Sequence, residues 1–172
     1  MQALDDMAES ALSGRNRTWS QPISPAPMPS GCRLRWFCVA TTYGQQTAAE
    51  AALAAAGWQV FFPLHLDRHN QRIGPLWPGY GTVAFDLEQP HWPAIYRTHG
   101  IFTILSNERR PVPFPIGVVE ELIARTSPRR IVDDPGSAPF PNPTPQRQHW
   151  QNITALSAGA RTALLLRLFG RA

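Results

Sequence analysis

The chain has 172 residues, 43% of them hydrophobic, which suits one cored domain with a small appendage and excludes a wholly disordered protein. Its net charge is +4, from 16 arginines against 12 acids with no lysine, a balance that permits contact with nucleic acid without arguing for it. Two cysteines, Cys32 and Cys38, exclude a disulfide framework, and six apart with no histidine pair nearby they make a poor zinc site.

The 18 prolines set the expected boundaries, since four fall at Pro22, Pro25, Pro27 and Pro29 and six more between Pro128 and Pro145. Proline fixes φ and donates to no ladder, so both stretches read as linkers. The expected organisation is a disordered tail over 1–31, a folded domain over 32–127, a proline-rich linker over 128–149 and a short apolar tail over 150–172. The N-terminal MQALDDMAESALSGRN carries acids early and has no apolar core of signal-peptide length. No run approaches the roughly 18 apolar residues of a membrane helix, so a cytoplasmic protein is expected.

In chain order, Trp36, Phe37, Cys38 and Val39 form an apolar run, the pattern of a central strand packed on both faces, and Tyr43-Gly44 ends it. QQTAAEAALAAAG predicts a helix over about 45–56, with Ala49, Leu53 and Ala56 toward a sheet, Gln46 and Glu50 away from it, and Gly57 as C-cap. WQVFFP supplies a second strand, stopped at Pro63. HLDRHNQRIG predicts a loop or an extended hairpin arm bearing Arg68 and Arg72, and GTVAFD a third strand over about 80–86. The turn Pro78-Gly79 before that strand projects Trp77 and Tyr80. PHWPAIYR reads as a short helix with Trp92, Ile95 and Tyr96 on one side, and IFTILS as a fourth strand. ERRPVPFP reads as a loop and IGVVEELIAR as an amphipathic helix with Val119, Leu122 and Ile123 apolar. This β-α-β-β-α-β-α order implies an α+β domain with one mixed sheet covered by helices.

No enzyme constellation emerges. The chain has neither a GxxxxGK[ST] phosphate loop nor a G-x-S-x-G elbow. His65, His69, His91, His99 and His149 lack ligand spacing with nearby acids, and Asp133 and Asp134 sit in the proline-rich linker, a poor platform for acid–base work. No catalytic residue, cofactor or metal is expected.

Four segments resemble, in order and spacing, the N-terminal domain of the NusG/RfaH family of transcription elongation and antitermination factors. They are RWFCVATTYGQQTAAEAALAAAGWQVFFP, PLWPGYGTVAFDL, WPAIYRTHGIFTIL and RPVPFPIGVVEEL, and the second, an aromatic Pro-Gly-Tyr turn running into a strand, is the most distinctive. The resemblance implies an α+β domain with a mixed sheet of about four strands flanked by helices. It implies a non-enzymatic factor that binds the clamp helices of the largest catalytic RNA polymerase subunit and modulates pausing or termination. The polymerase-binding patch falls on Trp77, Pro78 and Tyr80, with Phe62 and Pro63 as further candidates. Thr98 and His99 take the position of a second polymerase contact, and Arg68 and Arg72 are candidates to approach phosphates of the non-template DNA strand. Aromatics flanking a Pro-Gly turn cannot all hide behind their own sheet, which favours Trp77 and Tyr80 as anchors. The alternative is that both simply cover the edge of their own core, and for Trp92, spaced with Tyr96, internal packing is expected. The alternative function is a nucleic-acid-binding or scaffolding protein that reuses the domain without polymerase.

Two departures from the family pattern stand out. Gln46 replaces a glutamate common at the start of the first helix. Only residues 150–172 follow His149, where relatives continue into a KOW-type β-barrel, so a remnant is expected in place of that module, most simply a helix over 158–169 with Leu164, Leu165, Leu168 and Phe169 as its apolar face. Coupling to a termination factor or a ribosomal protein, which belongs to that module, is accordingly not expected.

Overall fold

The computed structural model describes residues 33–67, 72–126, 131–132, 153 and 156–170. Strand β1 (Arg35–Thr41) lies at the centre of a four-stranded sheet, between β5 (Tyr80–Phe85) and β6 (Ile101–Ile104), with β2 (Gln59–Phe61) on the far side of β5. Trp36 pairs with Ala84, Cys38 with Thr82 and Val39 with both Gly81 and Ile104. The sheet expected to be mixed is antiparallel at every ladder. Its physical origin is the crossover through helix α1 (Gln46–Ala55), which carries the chain from β1 past one strand position to β2, so β5 fills the gap and runs against both.

Because β1 is central, its alternating side chains feed two separate cores. Phe37 and Val39 join Leu53, Phe62, Phe85 and Ile95 on one face. Trp36 and Cys38 join Trp77, Phe114, Val119 and Leu122 on the other. We refer to these as the Phe37 face and the Trp77 face.

On the Phe37 face, α1 buries Ala49 and Leu53, whereas Ala56, expected to face the sheet, is exposed beyond the last turn. The helix ends because Gly57 takes φ 86, where its N–H donates to Ala54 O (3.0 Å) while Trp58 N–H donates to Leu53 O (3.1 Å), the paired bonds of a Schellman cap. A 3-10 helix (Trp92–Arg97) then buries Ile95 and stacks Trp92 on Phe85, ring centroids 5.6 Å apart.

Two hairpins extend the domain. Strands β3 (Leu64–Asp67) and β4 (Arg72–Pro75) pair antiparallel, and Val132 N–H returns to Leu64 O at 2.9 Å. Where ERRP reads as loop, β7 (Ser106–Asn107) and β8 (Arg110–Pro111) form a small hairpin whose tip holds Glu108 at φ 48 and Arg109 at φ 69.

The Trp77 face is covered by two helices. Helix α2 (Val118–Ala124) buries Val118, Val119 and Leu122, and an i,i+4 ion pair joins Glu121 to Arg125 at 2.9 Å. Helix α3 (Ala158–Arg167) starts at Ser157, whose Oγ accepts from Ala160 N–H at 3.3 Å. Its inward stripe is Arg161, Leu165 and Phe169, spaced by four, with Leu164 only half-buried. Among the described residues no helix is long and apolar enough to cross a membrane.

Candidate partner-binding face

The site begins at the turn Trp77-Pro78-Gly79-Tyr80. Tyr80 N–H donates to Trp77 O at 3.0 Å, Pro78 occupies the second position and Gly79 the third at φ 82, the arrangement of a type II turn. A side chain at Gly79 would have to enter the left-handed region, so glycine is required there. Thr41 N–H donates to Gly79 O at 2.8 Å, and Thr42 N–H to Gly100 O at 2.9 Å. The ends of β1, β5 and β6 are thereby knitted into one rim, on which Pro78 and His99 are exposed and Tyr43 is wholly exposed, at 100%.

Gln46, expected to point away, turns into this rim. Its Oε1 accepts from Gly79 N–H (3.1 Å), while its Nε2 donates to Tyr80 O (2.9 Å) and, more weakly, to Trp77 O (3.4 Å). A helix on the Phe37 face is thus tied to a turn that leads into the Trp77 face.

Trp77 itself corrects the expectation of a projecting anchor, because its side chain is 0% exposed. The Phe114 ring explains this: it lies 6.3 Å from the Trp77 ring, stacked, and 5.1 Å from Phe169 of the segment closing α3, edge-on. Leu165 and Phe169 belong to the same core as Trp77, Trp36 and Leu122. Arg161, 6% exposed, sends Nε to Leu76 O (2.8 Å) and Nη1 to Leu156 O (2.7 Å). Burying a guanidinium is costly unless its N–H groups are taken up, and these carbonyls accept from two of them beside Trp77. Helix α3 is therefore docked on the Trp77 face, its inward side chains sharing one core with Trp36, Trp77 and Phe114, and we refer to this helix-covered surface as the trough.

The remaining expected residues divide by position. Pro78 is exposed and Tyr80 half-buried against the Trp77 face. Phe62 and Pro63 are buried, and Phe62 belongs to the opposite core, so it shares no surface with Trp77. Thr98 is half-buried and His99 exposed, on the same rim as Pro78. Arg72 is exposed on β4, and Arg68 lies outside the described residues. Gln46, Phe114 and Arg161 are site residues that no sequence motif marks. Phe114 carried a signal, an aromatic inside a run of prolines too short to be only a linker; Gln46 and Arg161 act at separations of 31 to 34 and 85 residues, which no local pattern reveals.

A family model described as "Transcription termination factor nusG" matches residues 34–123, more than half of the chain. No curated protein matches. Among solved structures the chain is similar to one titled "Domain interaction in Thermotoga maritima NusG", with 19% identity, a TM-score of 0.39, and coverage of 48% of this chain and 51% of that one. The chain thus spans about half the length of that relative.

Proposed function

The chain belongs to the NusG family, and from that premise we propose that it is a non-enzymatic, cytoplasmic transcription factor that takes a clamp helix of RNA polymerase into the Trp77 face and so modulates pausing or termination. One observation carries the reading: the trough floored by Trp36, Trp77 and Phe114 already holds an amphipathic helix, α3, by a stripe spaced by four. A surface that seats one such helix has the width and apolar floor to seat another. In the complex α3 leaves and a polymerase helix replaces it. Trp77 becomes the anchor, with Pro78 and Tyr80 at the rim; Phe62 and Pro63 act from below, by fixing the strands under the turn. Thr98 and His99 form a second contact from the same rim, and exposed Arg72, with Arg68, approaches phosphates of non-template DNA.

The test is equilibrium binding of the full chain and of its Leu165→Ala variant to the isolated clamp-helix hairpin. Because α3 and the hairpin occupy one trough, loosening α3 raises the competent fraction, and binding is expected to tighten by about tenfold or more. A variant whose α3 is loosened and which binds no better refutes the shared trough. Steeply salt-dependent binding to DNA with none to the hairpin would favour a nucleic-acid binder instead.

A further inference from the structure

We infer that Gln46 is a positioning residue for the partner-binding turn, its amide setting how Pro78 and Tyr80 are presented; the inference rests on the polymerase reading above. Gln46 is the first residue of α1 and stands 31 to 34 positions from the groups it holds. Its orientation is fixed by chemistry, since Gly79 N–H can only donate and the carbonyls of Trp77 and Tyr80 can only accept. Oε1 must face Gly79 and Nε2 the two carbonyls.

The turn cannot satisfy these groups alone. Its internal bond uses Tyr80 N–H and Trp77 O, and Thr41 takes Gly79 O, which leaves Gly79 N–H directed at α1. One donor and two carbonyls must be met together, and a primary amide, with an acceptor oxygen beside two N–H donors, matches all three. A carboxylate would keep the acceptor for Gly79 but offer no donor to the carbonyls and set a negative charge beside them. Alanine would release all three. Helix α1 is meanwhile held rigidly by Ala49 and Leu53 on the other face, and the close approach of Gly100, whose added Cβ would lie 3.1 Å from Ala49 N, pins that end of α1 to the rim. Gln46 therefore refers the turn to a fixed element, and the partner meets Pro78 and Tyr80 in one arrangement instead of several.

The experiment uses the full chain as wild type, Gln46→Ala and Gln46→Glu, with two readouts: amide exchange at Gly79 by NMR and affinity for the clamp-helix hairpin. In Gln46→Ala the Gly79 amide should exchange about tenfold faster and affinity should fall about five- to tenfold, while amides of β1 keep their exchange rates. In Gln46→Glu the Gly79 amide stays protected, yet affinity still falls, because the donor half is lost. In a Tyr80→Ala background, Gln46→Ala should cost less affinity than it does alone, since both act through one turn. Unchanged Gly79 exchange in Gln46→Ala overturns the inference, and so does a released turn with undiminished affinity. Failure of the wild-type chain to bind overturns the polymerase reading and this role with it; wild-type binding that Gln46→Ala leaves intact overturns the positioning role alone.

Discussion

Leu165 is the residue on which the docking of α3 turns. It is 0% exposed and sits midway in the stripe between Arg161 and Phe169. Truncation to alanine removes a buried isobutyl group and leaves a cavity against the Trp77 core, a loss of about 3 kcal/mol. Helix α3 has ten residues, too few to persist alone in water, so it stays folded only while docked. The loss therefore falls first on docking, and about 3 kcal/mol corresponds to roughly a hundredfold larger undocked population. Hydrogen exchange followed by mass spectrometry reads this directly. Peptides covering 158–169 should exchange up to about a hundredfold faster in Leu165→Ala, while peptides of β1 change little. Leu164→Ala, at a half-buried position one residue away, is the control and should cost less than about 1 kcal/mol. If 158–169 and β1 accelerate in step, α3 is part of one cooperative core, it cannot leave alone, and its replacement by a polymerase helix loses its physical basis.

Two further predictions concern the sheet. An added Cβ at Gly81 would overlap the ring of Phe62, which is buried and has no room to yield, so Gly81→Ala should lower stability by about 2–3 kcal/mol; a thermal melt should fall by about 10 °C or more, and an unchanged melt would refute the packing. Burial pushes the Cys38 thiol well above its ordinary range, so the folded chain keeps it protonated where the unfolded chain ionises. Its contribution to stability is then complete below the unfolded-state pKa of about 8.5 and declines above it by up to about 1.4 kcal/mol per pH unit. Urea melts from pH 8 to 10 should show this extra slope in wild type and not in Cys38→Ala, and native Cys38 should resist iodoacetamide; labelling at the rate of a free thiol would refute its burial.

What the sequence discloses is what short-range pattern can encode. Four consecutive apolar residues, Trp36 to Val39, with strand-forming types among them, read as a strand covered on both faces, and β1 is that strand. Ala49 and Leu53 mark the inner face of α1 by their spacing alone. The direction of pairing is not encoded locally, because the crossover from β1 to β2 leaves open whether a strand lies between them. The β7–β8 hairpin escapes notice because its tip uses Glu108 and Arg109 at positive φ, where glycine or asparagine would have announced a turn. Trp77 misleads for a related reason. Its neighbours in sequence say turn, hence exposure, whereas the groups that bury it come from Phe114 and from a helix about 85 residues downstream.

The two faces of the sheet are closed from different sources, and this bears on how the proposed interaction can be tested. The Phe37 face is covered by α1 and the 3-10 helix, both inside the family-matched segment 34–123. The Trp77 face receives α2 from that segment, but Val132, Ile153, Leu165 and Phe169 come from beyond it. An apolar floor of this kind must be covered by something. Trp77 is therefore a core residue while α3 is docked, and in the proposed complex it turns into an interface residue as a partner helix takes that place. Trp77→Ala cannot separate these roles: with α3 docked it removes the largest fully buried side chain among the described residues and costs about 3–5 kcal/mol of stability, so lost binding would be indistinguishable from lost structure. Altering the cover instead of the floor separates them, because Leu165 touches no polymerase in the proposed complex. A change at Leu165 that improves binding while β1 keeps its exchange rates acts by vacating the trough.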